Sequence, residues 1–213
     1  MVRLSNTDKM PCKSWSLQAR ETCPGAIDQI TKQLVAACAG CYATVGNYNY
    51  PNVKEPREHN RQDWQRDGWE ADMVNELDTE RYFRWFDSGD VYHPKLAEKI
   101  YNVMKATPWC KHWIPSRSYK IARIRVWLEA MRALPNVSVR YSSDSVTGEY
   151  DDGLHGSTII PTHDTATQAS VCHAYENNGK FGSCRKCWDK SIPVIAYVAH
   201  TKRMAKVIRE LQA

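Results

Sequence analysis

Three cysteines near the start of the chain have the spacing expected of ligands for an iron–sulfur cluster. Fourteen residues separate Cys23 from Cys38, and Cys41 completes a Cys-x-x-Cys pair. Such a pair brings two sulfurs to one metal centre, and Pro24-Gly25 turns the chain after the first sulfur. Three thiolates can hold three irons of a cubane cluster and leave the fourth iron free to bind a small molecule. The spacing therefore predicts a [4Fe–4S] cluster with a role in chemistry.

The main alternative for these cysteines is a structural zinc site completed by Cys12 or a histidine. A disulfide framework is the weaker option. The first residues have no signal-peptide pattern, and no segment is apolar enough to cross a bilayer. We therefore expect a cytoplasmic protein without a membrane partner. In that reducing compartment, closely paired cysteines usually bind metal.

A second group of cysteines repeats the pattern near the other end. Cys172, Cys184 and Cys187 form a C-x11-C-x2-C arrangement before the last strong strand. A zinc knuckle and an auxiliary iron–sulfur cluster fit this spacing about equally well. The candidates for a missing ligand are His173, Cys12, Cys110 and a non-protein ligand. A single site that mixes cysteines of both groups stays open as a third interpretation.

The rest of the chain alternates between strand and helix patterns. Strands are predicted at 15–19, 82–86, 112–115, 137–141, 157–160 and 193–199. Helices are predicted at 27–37, 56–77 with a break near Gly68, 94–107, 120–133 and 201–211. In the second of these helices, the spacing of Trp64 and Trp69 favours anchoring to the core over stacking on a nucleic-acid base.

Repeated strand–helix units predict a parallel sheet with right-handed crossovers. Six strands are too few for a closed eight-stranded barrel, so we expect an α/β fold of the partial, open (βα)6 TIM-like type. A length of 213 residues fits one domain, residues 1–213. This domain would carry an N-terminal cysteine loop at about 12–43 and a C-terminal cysteine loop at about 172–188.

Polar side chains follow the predicted strands, at the sheet edge where α/β proteins bind their ligands. Besides Cys23, they are Ser88, Gly89, Asp90, Arg117, Ser142 and Asp144. Each also has a structural interpretation. The acidic turn can cap a helix, Arg117 can pair with Asp87 or Asp144, and Ser142 can form a local turn. Because these residues all follow consecutive strands, we predict that they form one polar binding site around the first cysteine group.

Six short motifs occur in a characteristic order. They are Trp-Ser-Leu with Thr-Cys-Pro-Gly, Cys-x-x-Cys-Tyr-Ala, Arg-x-x-x-Ser-Gly-Asp, Ser-Arg-Ser, Leu-Pro-Asn-Val with Ser-x-Asp, and Cys-x-x-Cys-Trp. With this combination, the chain resembles the bacteriophage family called gene product eighty-eight over most of its length. The resemblance implies a phage or prophage origin and action in the cytoplasm of a host bacterium.

A more distant resemblance concerns the Cys38-Ala39-Gly40-Cys41-Tyr42-Ala43 segment. It is similar to the distal half of the cysteine motif of radical S-adenosylmethionine enzymes, which use an incomplete (βα) barrel, although Cys23 lies much farther from the pair than the first cysteine does there. This resemblance implies S-adenosyl-L-methionine as a cofactor. The Ser88-Gly89-Asp90 turn would then hold its amino group, Arg117 a carboxylate or phosphate, and Ser142 with Asp144 a ribose or substrate hydroxyl.

The leading hypothesis is therefore a phage iron–sulfur protein that acts as a radical S-adenosylmethionine-like enzyme. It would need an electron donor, and its substrate is an unknown small molecule or nucleic acid. The net charge of +5 permits an anionic partner without demanding one. The rival hypothesis is a non-catalytic protein, stabilised by zinc or inert clusters, that engages host nucleic acid or a host protein.

Overall fold

The computed structural model describes residues 1–7 and 9–213 and contains two sheets of parallel strands. The first sheet has the order β1-β2-β3-β4, with β1 at Ser14–Trp15, β2 at Tyr82–Trp85, β3 at Lys111–Ser116 and β4 at Val137–Tyr141. The second has the order β5-β7-β6, with β5 at Ser157–Ile160, β6 at Ser170–Val171 and β7 at Ile195–Val198. The predicted α/β class with parallel strands is confirmed.

The two sheets meet between β4 and β5. A parallel bridge joins Ser142 to Ser157, and the Ser143 amide donates to the Ser157 carbonyl at 2.8 Å. Across the same seam, the Gly156 amide donates to the Tyr141 carbonyl at 2.8 Å. Within the described residues, β1 and β6 pair with one neighbour each, so the strands form an open arrangement and no barrel is closed.

Six α-helices accompany the strands in the described part of the chain. They are α1 at Ala36–Ala39, α2 at Pro51–Asp63, α3 at Trp69–Glu76, α4 at Pro94–Ala106, α5 at Ala122–Ala133 and α6 at Lys202–Gln212. The start of α4 is fixed by Pro94 in the first turn and by His93, whose ring nitrogen accepts from the Lys95 amide at 3.1 Å. In α6, the Thr201 hydroxyl similarly caps the Met204 amide at 3.0 Å. Among the described residues, no helix is both long and apolar enough to span a membrane.

The main core lies between the first sheet and helices α3, α4 and α5. Trp15, Trp69 and Trp85 are fully buried there and contact one another edge to face or tilted, with ring centroids 5.5 to 6.4 Å apart. Trp64 is buried as well and donates to the Tyr92 hydroxyl at 2.9 Å. The anchoring role predicted for Trp64 and Trp69 is therefore confirmed.

The helix predicted over 27–37 is wrong. A short 3-10 turn covers Pro24–Ala26, Ile27 bridges Leu34 in antiparallel fashion, and α1 begins only at Ala36. The Asp28 carboxylate accepts from the amides of residues 30 and 31 at 3.0 and 2.7 Å. This local turn competes with a helix for the same backbone donors.

Candidate metal centre

The turn after β2 is packed against the cysteine loop that follows β1. The Asp90 amide donates to the Thr22 carbonyl at 3.1 Å, next to Cys23. Ser88 makes two hydrogen bonds with Leu17, one through its carbonyl at 3.1 Å and one through its hydroxyl at 2.7 Å. Gly89 has φ +76°, and a Cβ there would lie 2.7 Å from the Thr22 hydroxyl oxygen. A glycine is therefore required for the two loops to approach this closely.

The Asp90 carboxylate links the end of β2 to the end of β3. One oxygen accepts from the Val91 amide at 2.7 Å, and the other accepts from the amides of Arg117 at 2.8 Å and Ser118 at 3.2 Å. Burial raises the pKa of Asp90, and these hydrogen bonds counteract that increase. Asp90 is only 6% exposed, so these amides satisfy most of its hydrogen-bonding capacity inside the protein.

The Asp144 carboxylate links the ends of β3 and β4. It lies 3.3 Å from Arg117 Nε and forms a second ion pair with Lys120 Nζ. Arg117 also donates to the Ser143 carbonyl at 2.6 Å. The pairing of Arg117 with Asp144, one of the structural interpretations of this arginine, is therefore present. Asp144 remains about 39% exposed, so a ligand can still reach it.

The same residues position both halves of the first cysteine group. Lys120 donates to the Gly25 carbonyl at 3.3 Å, and the Asp144 carbonyl accepts from the Ala37 amide at 3.0 Å. Gly25 packs so tightly that an added Cβ would lie 2.2 Å from the Arg117 carbonyl oxygen. The Cys23 loop and the Cys38 segment are thus held at the carboxyl ends of β3 and β4. Ser142 also lies there, where its hydroxyl accepts from the Ser157 hydroxyl at 3.3 Å.

The three thiols of this group are free and partly buried. Burial raises the pKa of Cys23, and the neighbouring Asp90, Cys38 and Cys41 raise it further. Burial also raises the pKa of Cys38, while Arg117 counteracts the effect. A metal must therefore displace protons from these thiols when it binds.

The two kinds of metal centre considered for these cysteines differ in the sulfur separation they need. Within the described residues, Cys23, Cys38 and Cys41 do not form a group whose sulfurs all lie within 4.8 Å of one another. A tetrahedral zinc ion with Zn–S bonds near 2.3 Å needs sulfurs about 3.8 Å apart. A cubane cluster separates its thiolates more widely because each one binds a different iron. Cys172, Cys184 and Cys187 likewise do not form such a group among the described residues, so neither cysteine group is already arranged tightly around a single ion.

Helix α6 closes over the Cys38–Cys41 turn, a contact that the sequence did not reveal. A Cβ on Gly40 would lie 2.8 Å from Met204 Cα in α6. Beside the turn, the Tyr42 hydroxyl donates to the Asp87 carbonyl at 2.8 Å, and its ring centroid lies 6.0 Å from that of His200. The close approach of Gly40 and Met204 places α6 against the first cysteine group, and Tyr42 links the same turn to the end of β2 and to the segment before α6.

The second cysteine group lines a cavity of about 410 Å³. Cys172, Cys184 and Cys187 all face this space, together with His173 and Phe181. Burial raises the pKa of Cys187 to about 11 and also raises that of Cys172. The three thiols that the spacing grouped together are therefore brought to one cavity.

The remaining two cysteines occupy different environments. Cys110 is fully buried in the main core, and burial raises its pKa to about 12. Cys12 is buried in a smaller apolar cluster that contains Trp113, Trp188 and Cys187. Cys110 thus has the surroundings of a small hydrophobic residue, whereas Cys12 lies close to the second group.

Arg140 holds the end of the second cysteine group and the chain that follows it, and no sequence pattern indicated this role. Its buried guanidinium donates to six backbone carbonyls, at distances from 2.8 to 3.5 Å. The acceptors are Gly156, Lys186, Cys187, Asp189, Ile192 and Pro193. An arginine in β4 therefore holds the 186–193 segment against the sheet.

The fold and these sites define an α/β protein with two cysteine groups, one at the carboxyl edge of a parallel sheet and one around a cavity. The chain belongs to the family described as gene product 88, whose family model matches residues 2–206. This match confirms the resemblance to that phage family. No curated protein and no solved structure matches the chain.

Proposed function

We propose that this protein binds a [4Fe–4S] cluster through Cys23, Cys38 and Cys41. The observation that carries the proposal is the convergence of these thiols at the carboxyl ends of parallel strands, although fourteen residues separate the first from the second. A further feature supports it: all three thiols are free and only partly buried, so they are open to a metal centre. Three ligands leave one iron of such a cluster open.

We further propose that the protein is a radical S-adenosylmethionine-like enzyme with a partial (βα)6 barrel. The ordered parallel strands β1 to β4, with α4 and α5 between successive strands, support this fold assignment. The chemistry that a bound cluster would supply is one-electron reduction of the cofactor sulfonium. The chain itself would bind the cofactor and substrate and keep water away from them.

The polar residues at this edge could take part in cofactor binding as follows. Asp90 would accept from a cofactor amino group by exchanging one of its present hydrogen bonds to the amides of Val91, Arg117 and Ser118. Arg117 would bind a ligand carboxylate or phosphate only by exchanging Asp144 for it as its ion-pair partner. The Ser142 hydroxyl would donate to or accept from a ribose or substrate hydroxyl, and the Asp144 carboxylate would accept from one. The Ser88-Gly89 turn acts through its packing against the Cys23 loop.

The substrate, the electron donor and the location belong to the proposal as well. We propose action in the cytoplasm of a host bacterium on a small molecule or nucleic acid, with a separate reductant as electron donor. The positive net charge of +5 is compatible with a nucleotide or nucleic-acid substrate.

Two experiments test the proposal in turn. First, Cys38→Ala/Cys41→Ala protein is purified without oxygen and assayed for iron; retention of the full iron content would remove the cluster assignment. Second, the reduced wild-type protein is incubated with S-adenosylmethionine, and 5′-deoxyadenosine is measured. Iron in the wild type without cofactor binding or product would reject the enzyme and leave a cluster protein.

A second candidate function is favoured by the cavity of the C-terminal group. This cavity carries Lys180 and Lys186 beside its three thiols. A zinc ion or an inert auxiliary cluster there could brace a basic surface that binds host nucleic acid or protein. Under this alternative the purified protein contains zinc and is colourless, whereas a [4Fe–4S] cluster makes it brown.

A further inference from the structure

Two histidines and a glutamate meet on the surface beside the second cysteine cavity. His163 lies in the loop after β5, His173 begins the 3-10 turn after β6, and Glu176 follows that turn. His163 Nε2 lies 2.9 Å from one Glu176 oxygen, and His173 Nδ1 lies 3.3 Å from the other. The two ring nitrogens are themselves 3.3 Å apart. In the described residues, these three side chains form the group whose ligand atoms all lie within 4.8 Å of one another.

The distances match those between ligands of a single tetrahedral metal ion. Zinc–nitrogen and zinc–oxygen bonds of about 2.0–2.1 Å place the donor atoms about 3.3 Å apart. We propose that His163, His173 and Glu176 form a mononuclear site for a divalent transition metal ion of the zinc class, separate from both cysteine groups. Imidazole and carboxylate donors suit Zn²⁺, and three protein ligands leave a coordination position open for water or a small ligand.

Hydrogen bonding alone accounts poorly for this arrangement. For Glu176 to accept from both histidines, each facing ring nitrogen must carry a proton. Two N–H groups would then oppose each other at 3.3 Å. A metal ion removes this conflict because it binds the lone pair of each nitrogen, and the carboxylate neutralises part of its charge.

A metal at this position would join two segments that the strands alone do not connect. His163 belongs to the loop between β5 and β6, while His173 follows β6 and also lines the second cysteine cavity. The ion would thus tie the loop after β5 to the wall of that cavity. This site does not depend on the proposed cluster, because none of its ligands belongs to the first cysteine group.

The test is titration of the metal-free full-length protein with Zn²⁺. Isothermal titration calorimetry measures the number of ions bound per chain, and thermal unfolding with and without Zn²⁺ measures the change in Tm. Wild type is compared with His163→Ala/Glu176→Gln and with a control, His59→Gln, that removes a partly exposed histidine from α2. We expect the double variant to bind one Zn²⁺ fewer per chain and to lose part of the zinc-dependent rise in Tm. The control should behave as wild type. Equal stoichiometry in wild type and double variant overturns the proposal.

Binding to cysteine is separated from binding to the new site by using Co²⁺ as the probe. Thiolate-bound Co²⁺ gives sulfur-to-metal charge-transfer absorption in the near ultraviolet, which imidazole and carboxylate ligands do not give. The double variant should lose the part of the visible ligand-field absorption that comes from one Co²⁺ per chain, and it should keep the charge-transfer band of any cysteine-bound Co²⁺. A separate site is contradicted if the charge-transfer band falls by the same fraction as the visible absorption. It is also contradicted if the spectrum of the double variant equals that of the wild type.

Discussion

Replacement of Arg140 by methionine should strongly destabilise the protein. The guanidinium makes four hydrogen bonds of 2.8 to 3.0 Å to backbone carbonyls and two longer ones of 3.3 and 3.5 Å. Methionine fills a similar volume but donates no hydrogen bond, and the site is buried, with the side chain 2% exposed. The carbonyls of Gly156, Lys186 and Asp189 keep a backbone amide donor, whereas those of Cys187, Ile192 and Pro193 lose the charged donor that Arg140 supplies. The 186–193 segment would be released from β4.

The magnitude follows from the value of hydrogen bonds to charged groups. Each contributes about 1.5–3 kcal/mol, but such contributions are not additive and some carbonyls can regain water as the segment loosens. We therefore expect a loss of about 3–5 kcal/mol, a large part of the typical 5–15 kcal/mol of a folded domain. Arg140→Lys should lose about half as much, because an ammonium offers three donors instead of five.

Urea unfolding of chelator-treated protein, followed by circular dichroism, measures this effect. The matched control is Arg125→Met on α5, where the arginine is about half exposed and lies 3.6 Å from Glu129; its loss should be no more than about 0.5 kcal/mol. Arg140→Met should lower the urea midpoint with the slope m unchanged. A midpoint equal to that of the Arg125→Met control would refute the role assigned to Arg140.

Two further predictions concern the cysteine loop and the core. Gly25→Ala should reduce the iron content of anaerobically purified protein, because the new Cβ would lie 2.2 Å from the Arg117 carbonyl oxygen and push the Cys23 loop off the sheet. The control is Gly68→Ala, which should keep its iron because its Cβ would meet only the flexible end of an arginine side chain, at 3.2 Å. Burial lowers the pKa of His112 to about 3 from an ordinary 6.5, so the unfolded chain binds a proton that the folded chain does not, and stability should fall as pH drops from 6.5 towards 3. Urea midpoints at pH 7 and 4.5 should therefore differ less in His112→Gln than in wild type, and an equal difference would contradict this assignment.

Local patterns predicted much of the fold. The predicted and observed bounds agree within two residues for the strand at Val137–Tyr141 and for the helices at Pro94–Ala106 and Ala122–Ala133. They agree because the alternation or helical spacing of apolar residues shows which face of each element is buried. The two-residue strand at Ser170–Val171 was missed because so short a segment has no detectable period. The predicted helix at 27–37 failed because the Asp28 side chain captures the backbone donors that a helix needs.

The candidate sites also differ in how far they depend on local sequence and how far on contacts between distant parts of the chain. The spacing of each Cys-x-x-Cys pair is local and can be read from the sequence, and the binding of metal by either cysteine group stays a prediction. The contacts of Arg140 reach up to fifty-three residues along the chain, and no sequence pattern indicated them. The meeting of His163 with His173 and Glu176 likewise depends on how the loop after β5 folds back. Pairs of this kind become visible only in three dimensions.

The most direct test of the account is the iron and acid-labile sulfide content of the first cysteine group alone. Protein carrying Cys172→Ser, Cys184→Ser and Cys187→Ser is purified without oxygen, so that the second group cannot contribute. A [4Fe–4S] cluster at Cys23, Cys38 and Cys41 would give about four irons and four sulfides per chain. These should disappear when Cys38→Ala and Cys41→Ala are added. One zinc ion without sulfide, or iron that survives the added changes, would contradict it.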